Sequence, residues 1–201
     1  MDLVALLIAA VALAVTQLME GGFTSHMIVR LALMVALPTA YIVIKGRRLS
    51  EYMIGWGNVK TGLKYSAALI LVALPIMYYG AGLSEFQDYY PLWKPASESP
   101  WNFILFESYV LALMFSCEFF FRGYLLTTLN NSSRFGNIMH ALIYMVAHVG
   151  KPWIEVFYSF GAGWVFGEVD TRCKSILPSL MMHYISSVIF DLMILYRAGI
   201  L

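Results

Sequence analysis

Charge is scarce in this chain: Asp, Glu, Lys and Arg make up 12% of its 201 residues, about half the share found in an ordinary soluble domain. So few ions cannot keep a large folded surface in water. With 60% hydrophobic residues and a mean hydropathy of +0.72, the composition is that of a membrane protein. Neither sign of charge prevails, and the net charge of +1 offers no basic face for nucleic acid. Cysteine is scarce too. Cys117 and Cys173 lie in or beside apolar segments, so no disulfide framework is indicated. The first apolar stretch lacks a basic leader and a small-residue cleavage site, and reads as a retained span. No internal repeat, low-complexity tract or soluble domain is visible.

What the chain has is long apolar runs, at roughly 2–19, 28–45, 62–83, 102–128, 135–150, 153–169 and 174–196. A bilayer-crossing helix needs about 20 such residues, so the expected fold is all-α and polytopic, with about seven transmembrane helices. One membrane domain over 1–201 is expected, with N-terminal spans and loops over 1–100 and a core over 102–196. The loop 45–60, the loop holding Arg134 and the run Asp170-Thr-Arg-Cys-Lys174 are basic, whereas 84–100 carries Glu85, Asp88 and Glu98 against one lysine. The positive-inside rule puts the N-terminus and the basic loops in the cytoplasm of a multi-pass cell-membrane protein. Lys151-Pro152 interrupts the apolar run. It is either a tight turn at the far surface or a break at membrane depth, and a site shared with His148 requires the break or a cavity open to the outer side.

Ionisable residues at membrane depth cost about 3 kcal/mol and by default mark function. Here they are Glu107, Glu118, Arg122, His140, His148, Glu155, His183 and Asp191, all in the second half. Glu118 and Arg122 are four apart and can pair on one helix face. His183, Ser187 and Asp191 follow an i, i+4, i+8 course. One carboxylate with two histidines has three uses: a zinc site with one open position, metal-free activation of water with oxyanion stabilisation, or proton relay in a transporter. No His-Glu-x-x-His run is present to favour zinc.

Glu118-Phe-Phe-Phe-Arg122-Gly123, Tyr144-Met-Val-Ala-His148 and His183 together resemble the three signatures of the CAAX prenyl protease and bacteriocin-processing family, Glu-Glu-x-x-x-Arg, Phe-x-x-x-His and His-x-x-x-Asn. The likeness covers about 102–192. Cys117 stands in place of the first glutamate, Tyr144 in place of Phe and Ser187 in place of Asn, as in a variant branch in which Lys-Pro-x-x-Glu follows the first histidine.

The resemblance implies a glutamate-type intramembrane endopeptidase with no metal and no cofactor. Its substrate would be a membrane-associated or lipid-modified protein or peptide. By the resemblance Glu118 activates water, His148 and His183 hold the oxyanion, and Arg122 and Asp191 orient the site. Glu155 is the second candidate for the base, and Cys117 is read as a packing residue. The rival reading is an inactive member of the same fold that serves as a membrane binding partner or scaffold.

Overall fold

The computed structural model describes residues 2–129 and 134–200, and among these every extended element is a helix. They are α1 (Leu3–Leu18), α2 (Phe23–Ile44), α3 (Val59–Gly80), α4 (Ser84–Tyr89), α5 (Pro100–Thr128), α6 (Arg134–Val146), α7 (Trp153–Cys173) and α8 (Leu177–Arg197). Seven of them occupy the seven expected positions, and the short α4 lies in the acidic loop. By length and composition α2, α3, α5 and α8 can each cross a membrane. α1 and α6 are shorter apolar helices. α7 has the length, 21 residues, but carries Glu155, Glu168, Asp170 and Arg172. The chain is a multi-pass helical membrane protein.

Local signals set the helix starts. Asp2 Oδ1 accepts from the N–H groups of Val4 and Ala5 at 3.1 and 3.3 Å. Asn58 and Ser99 cap α3 and α5 in the same way, at 3.1 Å each, with Pro100 at the first helical position of α5. Large apolar side chains such as Leu7, Val11, Leu71 and Val72 point outward, as a lipid solvent permits.

The loops gather at two ends. At one end Asn58 N–H donates to Cys173 O (2.8 Å), Ile176 N–H to Met53 O (3.0 Å) and Ser175 Oγ to Gly55 O (2.5 Å). The basic loop 45–60 therefore meets the α7–α8 corner, while 130–133 and the Arg134 side chain lie outside the described residues. At the other end the acidic loop covers the α6–α7 turn, where Trp153 N–H donates to Glu85 Oε1 at 3.0 Å. α6 and α7 form an antiparallel hairpin around Lys151-Pro152. The dipeptide forms a turn between two helices on the acidic-loop side, and Lys151 borders a cavity there.

Asp170, read from the sequence as part of a loop, is instead buried in the last turns of α7. Its Oδ1 accepts from Ser179 N–H at 3.0 Å and its backbone carbonyl from Ser175 N–H at 3.2 Å. The carboxyl thus caps α8 and fixes the start of the helix that carries His183.

The hairpin closes through small residues. A Cβ on Gly167 would collide with Asn137 Oδ1, and Asn137 Nδ2 donates to Trp164 O at 3.1 Å. Gly167→Ala is expected to cost about 1–3 kcal/mol from overpacking, read as a lowered Tm. Gly161→Ala, with nothing within 4 Å of the new Cβ, should leave Tm at or above the parent value.

Candidate active site

Glu118 ends the α-wound part of α5, and Phe119–Leu125 continues as a π-helical stretch. Wider winding of this kind recurs at functional sites because it re-aims side chains. Glu118 and Arg122 are both fully buried, with Arg122 Nε 3.0 Å from Glu118 Oε2. The contact is a charge–charge one, off the hydrogen-bond axis. The Arg122 guanidinium also lies 4.1 Å from the Tyr144 ring centre and 5.2 Å from that of Phe166, so two aromatic faces supplement its one anionic partner.

On its other side Glu118 Oε1 is 2.5 Å from His183 Nδ1. An ionised carboxylate only accepts, so Nδ1 carries the proton. A neutral His183 then presents an unprotonated Nε2, and its ring lines a cavity of about 210 Å³. The Ser179 hydroxyl sits beside the same carboxyl. His148 Nδ1 is 2.8 Å from Tyr144 O. A carbonyl only accepts, so this Nδ1 is also the protonated nitrogen. Tyr144 stands between the histidines, its ring centre 4.4 Å from that of His148 and 6.4 Å from that of His183.

His148, His183, Ser187, Asp191, Glu155 and Lys151 border the one cavity. Glu118 and Arg122 do not. The resemblance implied that Glu118 activates water; here its carboxylate lies behind His183, whose ring borders the cavity. Glu155 is held by Lys151 Nζ at 2.6 Å and by Tyr90 Oη at 2.8 and 2.9 Å. Lys151 is therefore an ion-pair partner. Asp191 meets Glu107, not Glu118. His140 is fully buried beside Phe121 and Tyr144 and does not border the cavity.

Three residues of the site went unread in the sequence. Tyr90 comes from the acidic loop, 65 positions from Glu155, and no local pattern announces it. Asp170 and Ser179 were obscured by neighbouring charges, although Pro178 after Ser175-Ile-Leu177 is an ordinary helix-start signal. Cys117 is half-buried, and its sulfur, a Glu118 oxygen and a His183 nitrogen all lie within 4.8 Å of one another. A metal there would have to break the Glu118–His183 bond and sit close to the Arg122 cation. The donor set fits a divalent ion poorly.

Residues 99–189 match the family model described as type II CAAX prenyl endopeptidase Rce1-like. No curated protein and no solved structure matches the chain. The matched stretch begins at Ser99, the cap of α5, and contains Glu118, Arg122, Tyr144, His148, Glu155 and His183, which are the groups that meet around the cavity and behind it. Over residues 99–189, 91 of the 201 in the chain, the protein is similar to the Rce1-like family of type II CAAX prenyl endopeptidases.

Proposed function

We propose that the protein is an intramembrane endopeptidase that hydrolyses a peptide bond of a membrane-associated or lipid-modified protein or peptide. The observation that carries this reading is the Glu118–His183 bond at the wall of the cavity. The catalytic core is 102–196 within one membrane domain over 1–201. A peptide enters the cavity from the acidic-loop side. His183 Nε2 accepts a proton from water as the oxygen attacks the scissile carbonyl, and the Glu118 carboxylate stabilises the imidazolium that forms. His183 then returns the proton to the leaving amine. His148 faces the oxyanion; its Nδ1–H is engaged by Tyr144 O, so it donates to the oxyanion from Nε2 after that nitrogen has taken up a second proton from solvent in the cavity. Arg122 holds Glu118 in place by charge. Glu155 is engaged by Lys151 and Tyr90 at the cavity wall, where it shapes the entrance and takes no proton from water.

The chemistry needs no metal and no cofactor. The test compares membrane-protein termini in cells with and without the protein, complemented by variants. Wild type and Glu155→Gln are expected to restore the missing cleaved termini, whereas His183→Ala is not. In purified protein, chelators should leave cleavage intact. One zinc per chain, lost with His183→Ala, would overturn the metal-free mechanism. Full processing by a well-folded His183→Ala would overturn the dyad, and the absence of any restored terminus would favour the scaffold reading.

A further inference from the structure

The catalytic scheme leaves one buried pair of carboxyls unused. Glu107, in the second turn of α5, and Asp191, two turns past His183 on α8, bring their carboxyls together at 5% and 2% exposure. Asp191 borders the cavity. Glu107 Oε1, Glu107 Oε2 and Asp191 Oδ1 all lack a hydrogen-bond donor. Two touching carboxyls share one proton more readily than both ionise. That proton engages one oxygen of each residue, so the pair retains a negative charge and an oxygen without a donor. The cavity-wall cation, Lys151, is already held by Glu155 at 2.6 Å.

A second observation points to the same kind of ligand. Phe86, Tyr90 and Phe190 border the cavity beside Asp191. Their rings stand edge to face, with Phe190 5.4 Å from Phe86 and 5.6 Å from Tyr90. Aromatic faces grouped next to a buried carboxylate are the usual surroundings of an organic cation.

We propose that Glu107 and Asp191 form a cation subsite of the cavity, which takes an ammonium group carried on an apolar chain. On the proteolytic reading, the ligand is a basic residue of the substrate set among apolar ones. Eight residues along α8 separate Asp191 from His183, about 12 Å, which an extended peptide covers in about three to four residues. The subsite therefore selects a basic residue that far from the cleaved bond.

Binding is read without cleavage, by thermal shift of the protein in phosphatidylcholine nanodiscs titrated with n-hexylammonium or with n-hexanol. Hexylammonium is expected to raise Tm saturably and hexanol is not. Asp191→Asn and Glu107→Gln should each weaken hexylammonium binding at least tenfold. Both are near-isosteric and remove one of the two carboxyls between which the charge is held. Equal responses to the two probes in wild type, or undiminished hexylammonium binding by Asp191→Asn, would refute the subsite. The wild-type comparison decides the matter even if a variant fails to fold. A cation site in a protein that cleaves nothing would refute only the proteolytic reading.

Discussion

Glu118→Gln is expected to lower kcat by a factor on the order of 10² to 10⁴, the range over which general-base catalysis acts, with KM little changed. The reason lies in the tautomer. The Gln amide can donate to His183 Nδ1, which moves the ring proton to Nε2, where it blocks acceptance of a proton from water. An amide that instead accepts from Nδ1 still supplies no charge to stabilise the imidazolium. The first orientation removes the base and the second weakens it. The side chain touches no part of the cavity, so substrate binding should persist. Steady-state kinetics on a peptide containing the mapped cleavage site separates the two parameters, and an unchanged kcat would sink the dyad. Cys117→Ala, which removes only a small half-buried thiol, should change kcat little by comparison.

The second large effect concerns stability. Arg122→Met is expected to destabilise the protein by about 3–5 kcal/mol, because it leaves the Glu118 carboxylate buried without its cation. Glu118→Gln should cost a comparable amount by stranding the guanidinium between Tyr144 and Phe166. The double variant Glu118→Gln/Arg122→Met is expected to regain most of the loss, since neither charge then remains. Denaturation of all four proteins in one detergent gives the coupling energy. Simple additivity of the two single losses would mean that the 3.0 Å contact carries no net interaction.

The helices and the motif residues were legible because a membrane protein has few ionisable groups and long apolar runs. Glu118, Arg122, His148 and His183 stand out against such a background. Glu118 and Arg122 could be paired from their spacing, and the structure pairs them. What the sequence could not give was rotation and depth. Whether Glu118 or His183 faces the cavity depends on how α5 turns against α8, and a π-helical stretch after Glu118 shifts that phase by an amount no periodicity predicts. Asp191 lay on the same course as His183 and was read as a residue that orients the site, yet it meets Glu107 from a helix 84 positions earlier. Lys151 and Glu155 had i, i+4 spacing and could have been paired. The proline between them disguised the relation.

The described part of α6, Arg134–Val146, has 13 residues, about 20 Å of helix against a hydrocarbon layer of about 30 Å. On the proteolytic reading, a bilayer that thinned to match this hairpin, at a cost of fractions of a kcal/mol per Å, would bring headgroup water toward the turn that carries His148, and the thickness of the host membrane would then bear on turnover without touching any side chain.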